Sequence, residues 1–281
     1  MRKRSSLVTL LLFAASLLEA QWRVDTVAGI YPLGNDGPAT NALLGRPRHL
    51  AFDRAGNLYI ADTDNHQIRR LDRDGRIIAV AGNGAVGDSG DGGPALSASL
   101  NQPRAVALDG NRLYIADSGN FRIRVMNLET GVIEHYAGTD DPKSSARLGS
   151  IRSIIMDPKG NLLVLDGRIP RRIDRQSGII TPIYREFGIA TGSSTLPPSN
   201  PEGMAIEADG TLYFAGSYAI VRVDPSGQRD YYPSSSGGPI VAPVGLALDP
   251  VKRILYFTDS YQCMVYSLAL ETRIFREVAV G

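Results

Sequence analysis

The sequence has little cysteine, little histidine and almost no net charge. Its single cysteine, Cys263, excludes an intrachain disulfide, so packing and hydrogen bonds must hold the fold together. The formal net charge of +1 lacks the basic excess that is typical of nucleic-acid-binding domains. Only three histidines are present, His49, His66 and His135, and helix-length apolar periodicity is absent after the N-terminal segment. These absences favour a β-rich binding protein over a histidine-based metalloenzyme or a nucleic-acid-binding domain.

The first twenty residues have the pattern of a secretory signal peptide. Basic residues at 2–4 precede an apolar run from Leu7 to Leu18, and Ala20 offers a small residue for cleavage. The apolar run is too short to cross a bilayer comfortably, so no stable membrane insertion is expected. A retained anchor is the alternative. We therefore predict that residues 1–20 are removed and that 21–281 form a secreted or periplasmic domain.

Five segments of the chain repeat one pattern of apolar runs and turns. A first run such as Pro47–Asp53 leads to a second such as Leu58–Asp62, and the second runs end at positions 62, 117, 166, 216 and 259. The spacing of roughly 40 to 55 residues is typical of propeller blades. Each unit then continues with a third run such as Gln67–Asp72, a turn with glycine, and a fourth run such as Arg76–Ala81.

Four short runs of β-forming residues predict a four-stranded antiparallel sheet in each unit. Runs such as Leu58–Ala61 are apolar on both sides of the pleat, so both faces of each sheet must be covered by neighbours. Stacking the sheets radially into a ring covers every unit at once and leaves only short edges. The predicted fold class is therefore all-β, and the predicted architecture is a β-propeller.

Two segments carry a resemblance to a known family. Ala61–Arg70 and Ala116–Arg124 closely resemble the strand-turn-strand signature of NHL-repeat β-propellers. The loops Gly87–Ala95 and Asn35–Thr40 are similar to the loops between repeats in bacterial NHL proteins. The resemblance covers the mature chain, is weaker in the third to fifth units, where Gly216 replaces an aspartate, and implies an exported bacterial propeller.

The count of strands leaves the closure of the ring open. Five four-stranded blades account for most of the chain, and Arg23–Ala28 reads as one extra N-terminal strand. The prediction is a five-bladed propeller with an additional outer strand. The alternative is an incomplete six-bladed ring.

One face of the predicted ring carries the long loops between blades and the turns after each second strand, and we call it the long-loop face. Loops carry function more often than strands do, so a ligand is expected there. The residues just before each innermost strand should lie at the mouth of the central channel on this face: Arg48, Arg104, Arg152, Glu202 and Val244. Guanidinium groups suit carboxylate or phosphate, so an anion site is one hypothesis, and pairing with neighbouring acidic residues is the other.

Aspartates also recur with the repeat, at Asp62, Asp117, Asp166 and Asp259. They lie on different blades, so a role as caps of their own turns is favoured over metal binding. Asp88 and Asp91 lie in a glycine-rich loop and could hold Ca²⁺. Two carboxylates fall short of a known calcium-loop spacing, so no cofactor is predicted and Ca²⁺ stays an alternative.

The function predicted from the sequence is an exported binding or scaffold propeller that recognises a protein, peptide or glycan through its long-loop face. No nucleic-acid partner is expected, because the net charge is close to zero. The alternative is a propeller lyase or hydrolase with its site in the central channel. Resemblance to lyases of related build would imply a histidine or acid cluster in the channel, and the three histidines occupy different strand positions.

Overall fold

The computed structural model describes residues 37–139, 147–183, 200–216, 218–233, 240–262 and 264–280. These residues form five antiparallel sheets, and the helices among them are single 3₁₀ turns. No helix in these ranges is long and apolar enough to span a membrane. The 3₁₀ turns are η1 (Ala39–Asn41), η2 (Thr63–Asn65), η3 (Ala95–Ser97) and η4 (Ser118–Asn120).

The first two blades each contain four long strands and one short outer strand. Blade 1 consists of β1 (Gly37–Pro38), β2 (Pro47–Phe52), β3 (Leu58–Asp62), β4 (Gln67–Leu71) and β5 (Arg76–Ala81). Blade 2 consists of β6 (Gly93–Pro94), β7 (Pro103–Asp109), β8 (Arg112–Asp117), β9 (Arg122–Asn127) and β10 (Val132–Gly138).

The remaining three blades have four strands each. Blade 3 consists of β11 (Ile151–Met156), β12 (Leu162–Asp166), β13 (Ile169–Ile173) and β14 (Ile180–Pro182). Blade 4 consists of β15 (Gly203–Ile206), β16 (Leu212–Gly216), β17 (Ala219–Val223) and β18 (Arg229–Pro233). Blade 5 consists of β19 (Pro243–Asp249), β20 (Ile254–Asp259), β21 (Met264–Ala269) and β22 (Phe275–Val280). The all-β class and the five four-stranded blades of the prediction are confirmed.

The apolar core is divided between successive blades, as the two-faced apolar strands require. The cluster between blades 1 and 2 includes Tyr59 and Ile115, and the cluster between blades 4 and 5 includes Tyr213 and Phe257. Equivalent clusters join blade 2 to blade 3 and blade 3 to blade 4. The second strands β3, β12 and β16 are buried along their whole length, because each contributes to both neighbouring interfaces. The blades therefore form a five-bladed β-propeller.

The outer edges of blades 1 and 2 differ from the prediction. Gly37 and Pro38 pair with β5, and Gly93 and Pro94 pair with β10, so part of each glycine-rich loop adds a fifth strand to its sheet. Proline has no N–H to donate to a ladder, and an edge position tolerates it. The predicted extra strand Arg23–Ala28 and the predicted signal peptide at 1–20 lie outside the described residues.

Ion pairs join neighbouring blades on the face opposite the long loops, which we call the short-turn face. Arg175 of blade 3 lies 3.3 Å from a carboxylate oxygen of Asp109 in blade 2. Arg253 of blade 5 lies 2.9 Å from Glu207 of blade 4. These partly exposed pairs add little stability individually, so the blades are held mainly by the apolar clusters and by contacts on the long-loop face.

Gly203 provides a test of the packing between blades 4 and 5. A Cβ atom at this position would overlap the carbonyl oxygen of Val244 in β19. We expect Gly203→Ala to lower the free energy of unfolding by about 2 kcal/mol, because a backbone oxygen cannot move aside as a side chain can. Urea unfolding measures the change. Gly37→Ala is the control, since a Cβ there meets no atom within 4 Å, and equal stability of the two variants would contradict the blade packing described here.

Candidate functional site

The innermost strands begin on the long-loop face, and this places the predicted site residues. Pro47 pairs with Asp62 and Pro103 pairs with Asp117, so each first strand starts where its second strand ends. A cavity at the ring centre, which we call the channel cavity, is lined by residues of blades 1, 3, 4 and 5. Its lining includes Arg48, His49, Arg152, Glu202, Met204 and Val244.

Two of the predicted site residues form an ion pair with each other. Arg152 Nη1 lies 2.6 Å from Glu202 Oε1, and the same nitrogen donates to the carbonyl oxygen of Pro201 at 3.3 Å. The pair joins blade 3 to blade 4 and is mostly shielded from solvent. For Arg152, the structure therefore shows the ion pairing that was the alternative to ligand binding.

The other two predicted arginines are different, because neither Arg48 nor Arg104 forms a salt bridge with a described residue. Burial, and then the positive charges of Arg104 and Arg46, lower the pKa of Arg48. Arg104 does not line the channel cavity, although its charge is close enough to act on Arg48. Arg48 Nε is fully buried and has no hydrogen-bond partner among the described residues. The mouth of the channel thus holds two adjacent cations whose charges are not neutralised within the described chain.

His49 lies beside these arginines in the wall of the channel cavity. Its Nδ1 is buried and has no hydrogen-bond partner within the part of the chain that the structure describes. Burial lowers the pKa of His49 to about 4, and a hydrogen bond with the backbone of Val106 opposes this effect. The imidazole is therefore neutral near pH 7 and adds no third positive charge to the mouth of the channel.

The recurring aspartates hold the loops that enter their blades. Asp62 Oδ1 accepts the backbone N–H of Gly45 at 2.6 Å, and Asp117 Oδ1 accepts that of Asn101 at 2.8 Å. The second oxygen of each accepts an asparagine side chain in the following turn, Asn65 or Asn120, at 2.9 and 2.8 Å. Both carboxyls are fully buried, and burial raises their pKa despite these donors. The predicted structural role is right, but the main backbone partner is the incoming loop rather than the turn of the aspartate itself.

Blades 3 and 5 repeat this arrangement, and blade 4 lacks it. Asp166 Oδ1 accepts the N–H of Gly149 at 2.8 Å. Asp259 accepts from the incoming loop at Val241 and Ala242 and also from the N–H groups of its own turn. In blade 4, Gly216 supplies no carboxylate.

A hydroxyl next to the aspartate joins each of the first two blades to the following blade. Thr63 Oγ1 donates to the carbonyl oxygen of Pro103 at 2.8 Å, and Ser118 Oγ donates to that of Ile151 at 2.9 Å. The sequence analysis missed these contacts. The repeated Asp-Thr or Asp-Ser pair in the sequence could have indicated them. A small hydroxyl directly after a buried aspartate is well placed to hydrogen-bond to a nearby backbone group.

In the loop that was considered for Ca²⁺, one of the two aspartates is paired with arginines. The carboxylate of Asp91 lies 2.7 Å from Arg124 Nη2 and 3.4 Å from Arg122 Nη1. Arg124 is fully buried and also donates to the carbonyl oxygens of Ser89 and Ser99. The guanidinium groups of Arg122 and Arg124 thus both pair with the carboxylate of Asp91.

The three histidines occupy separate places in the structure. His49 lines the channel cavity, His66 accepts the backbone N–H of Gln102 at its Nδ1 at 3.0 Å, and His135 lies in the outer strand β10. No group of three His, Cys, Asp or Glu side chains within the described ranges could hold a metal ion. Cys263 lies outside those ranges.

Comparison with known families identifies the repeat. A model of the NHL repeat matches residues 44–71 and 100–126, which include the second and third strands of blades 1 and 2. The chain therefore contains NHL repeats. The matched residues include the buried aspartates Asp62 and Asp117 and the hydroxyls of Thr63 and Ser118.

The curated relatives match short stretches of much longer proteins. The chain is 34% identical over 99 residues to Protein SUPPRESSOR OF QUENCHING 1, chloroplastic, of Arabidopsis thaliana, which covers 34% of this chain and 9% of that protein. It is 32% identical over 102 residues to human NHL repeat-containing protein 2, covering 35% and 14%. Human Teneurin-4 is 43% identical over 101 residues, which cover 31% of this chain and 4% of that protein. These relatives support the NHL-repeat family and are all eukaryotic.

Solved structures share the fold at low sequence identity. A chain from the crystal structure of a nidogen/laminin complex has a TM-score of 0.62 and 18% identity, covering 85% of this chain and 81% of that one. Virginiamycin B lyase from Staphylococcus aureus has a TM-score of 0.56 and 16% identity, and the match covers 84% of this chain and 71% of that one. At these identities the likeness is one of fold.

The role of the buried aspartates can be tested at Asp117. Asp117→Ala removes the acceptor of the Asn101 N–H and of the Asn120 amide, and removes one of the two carboxylates that Arg122 contacts. We expect the free energy of unfolding to fall by about 3 kcal/mol, because buried donors lose both water and protein partners. Denaturant unfolding checks this. Glu271→Ala removes an exposed carboxylate as the control, and an equally small effect of both changes would contradict the proposed role.

His49 predicts a specific dependence of stability on pH. Its pKa is about 4 in the folded chain against the ordinary histidine value of 6.5, so its contribution is complete above pH 6.5 and is lost as the pH falls towards 4. The loss amounts to at most about 3 kcal/mol. The raised pKa values of Asp62 and Asp117 act in the opposite direction, since their contributions are complete at low pH and decline as the pH rises.

The His49 contribution is isolated by comparing the parent with His49→Gln in urea unfolding between about pH 7 and about pH 4.5. The parent should lose more stability than the variant over this range. Parallel profiles would show that His49 is not held neutral by its surroundings.

Proposed function

We propose that this chain is an exported propeller that binds a protein partner through the long-loop face, with Arg48 and Arg104 receiving a carboxylate of that partner. The observation that carries the proposal is the pair of adjacent cations at the channel mouth without a salt bridge to the described chain. A ligand carboxylate would neutralise both charges and accept hydrogen bonds from the two guanidinium groups.

The surroundings of this pair favour a single carboxylate over an extended polyanion. Arg152 is already paired with Glu202, so the positive surface does not continue around the channel. The charge of Glu202 also acts on Arg48 and supports its protonated form. A compact negative group placed between Arg48 and Arg104 fits this pattern, whereas a nucleic-acid backbone needs a longer basic track.

A protein partner is the class that the comparisons favour. The chain contains NHL repeats, and a fold neighbour belongs to a nidogen/laminin complex, in which a propeller-containing chain is bound to another protein. Buried aspartate contacts also hold the loops of this face in place, which lowers the entropy cost of binding. Glycan and RNA ligands are outcomes that the tests below distinguish.

Export rests on the basic and apolar residues at the start of the chain. A bacterial origin is supported by the loops Asn35–Thr40 and Gly87–Ala95, which are similar to those of bacterial NHL proteins. N-terminal sequencing of protein secreted by an expression host tests export. We expect cleavage after Ala20 and a mature chain that begins at Gln21, whereas an uncleaved chain in the cytoplasm would contradict the proposal.

The binding proposal can be tested with synthetic peptides of defined composition. Peptides that contain Asp or Glu are compared with the same peptides carrying Asn or Gln, using calorimetry at physiological salt. We expect only the acidic peptides to bind. Arg48→Ala and Arg104→Ala should each weaken binding about ten-fold, which corresponds to the loss of one charge-assisted hydrogen bond.

Arg54→Ala is the matched control, because Arg54 is an exposed arginine in a turn of the short-turn face. It removes the same charge and should leave the affinity unchanged. Equal weakening by Arg54→Ala would reveal a nonspecific effect of net charge. Unchanged affinity in Arg104→Ala would remove the proposed anion site.

The lyase or hydrolase alternative is separated by a second experiment. Metal analysis of the purified protein is combined with a screen of lactone, ester and amidated-peptide substrates. The binding proposal expects no turnover in this screen. Turnover that disappears in His49→Gln would instead place an active site in the channel cavity.

A further inference from the structure

Two large apolar side chains are exposed together on the long-loop face of blade 2. Val86 is 63% exposed and Phe121 is 51% exposed. The Asn120 amide donates to the carbonyl oxygen of Gly87 at 2.7 Å, and Arg122 donates to the carbonyl oxygen of Asp88. The loop of Val86 is therefore bound directly to the turn of Phe121. We call the surface formed by Val86 and Phe121 the blade-2 ledge.

The backbone of Phe121 is costly for the residue that occupies it. Phe121 has a φ of 56°, in the left-handed region where glycine is preferred over residues with a Cβ. His66 has the same conformation in blade 1, with a φ of 54°, and its side chain stabilises the fold by accepting the N–H of Gln102. Phe121 makes no equivalent side-chain hydrogen bond and is half exposed. Neither backbone conformation nor burial explains a phenylalanine there.

The turn that carries Phe121 is hydrogen-bonded to the segment that leads to Arg104. Gly119 N–H, in the turn that leads to Phe121, donates to the carbonyl oxygen of Asn101 at 2.8 Å. Asn101 is itself held by Asp117, and the chain runs from it through Gln102 and Pro103 directly to Arg104. An apolar surface and the Arg104 cation, which has no salt bridge to a described residue, thus lie on one hydrogen-bonded segment of one blade.

Acidic side chains near the ledge restrict the kind of partner that fits. Asp88 is exposed in the loop next to Val86, and Asp64 is 46% exposed in the neighbouring blade. The carboxylate of Asp88 repels a chain of phosphates or sulfates that crosses the face, whereas Asp64 is paired with Arg46 at 2.7 Å. A polypeptide segment with one carboxylate near an apolar side chain meets the arginines and the ledge without this repulsion.

We propose that the blade-2 ledge binds an apolar side chain of a partner polypeptide whose neighbouring carboxylate is received by Arg48 and Arg104. This inference rests on the proposed function and adds the chemistry of the partner segment. The recognised feature is an acidic residue flanked by a large apolar residue such as Phe or Leu. The ledge supplies contact area that is fixed before binding, which is typical of binding hot spots built on aromatic and arginine side chains.

The test compares two sets of synthetic peptides against the full mature chain. One set carries Asp or Glu next to Phe or Leu, and the other carries the same acid next to Ser. We expect the first set to bind the parent about ten-fold more tightly, as burial of one apolar side chain would give. Phe121→Gly and Val86→Ser should each remove this preference, while Arg104→Ala should weaken both sets.

Thermal unfolding separates a binding role from a structural one. Phe121→Gly relieves a left-handed φ, so we expect its Tm to equal or exceed that of the parent. A lower Tm would assign Phe121 to the fold and overturn the proposal. Val251→Ser is the matched control, because Val251 is 90% exposed on the short-turn face and its replacement should leave the peptide preference intact.

The remaining outcomes distinguish failure of the ledge from failure of the proposed function. Acidic peptides that bind equally well with Phe or Ser leave the anion site standing and overturn the ledge. Absence of binding by both sets overturns both. Single-stranded poly-uridylate or a heparin oligosaccharide that binds the parent but not Phe121→Gly would replace the polypeptide with a different class of ligand.

Discussion

The structure depends most on a buried carboxylate at the end of the second strand in four of the five blades. Each of these aspartates accepts a backbone N–H from the loop that enters its own blade. A loop that crosses the top of a sheet brings backbone donors out of water, and each donor needs an acceptor. The carboxylate supplies it and fixes the loop to the most buried strand of the sheet. Where the loop lies then determines where the innermost strand begins.

The same residues connect neighbouring blades in the first half of the ring. Thr63 and Ser118 follow the aspartates and donate to the first strand of the next blade. The apolar clusters between blades supply most of the stabilisation, but they are not directional. The hydroxyl contacts are directional, and they fix the start of the innermost strands β7 and β11 against the preceding blade. They therefore help to set the positions of Arg104 and Arg152 at the channel mouth.

The blades differ where the repeat is weaker, and the charge of the channel mouth follows from this. Blade 4 has Gly216 in place of the aspartate and Glu202 in place of the arginine, and Glu202 neutralises Arg152. Blades 1 and 2 keep both the aspartate and the arginine. The two channel-mouth arginines without a salt bridge to a described residue therefore lie in the two blades that also match the NHL repeat. A repeated fold thus presents an asymmetric distribution of charge at the channel mouth.

The sequence alone determined the all-β class and the repeated four-stranded blade. The apolar runs recur with the repeat, and they show which residues must be buried on both faces of a sheet. It also brought Arg48, Arg152 and Glu202 to one place, since equivalent positions in a ring lie around one axis. The partners of these side chains were decided only by the tertiary structure. Whether Arg152 meets Glu202 or a ligand depends on distances between blades that are far apart in the chain. The short strand of Gly93 and Pro94 and the exposed Phe121 likewise depend on how loops fold back on their sheets, and no local periodicity encodes that.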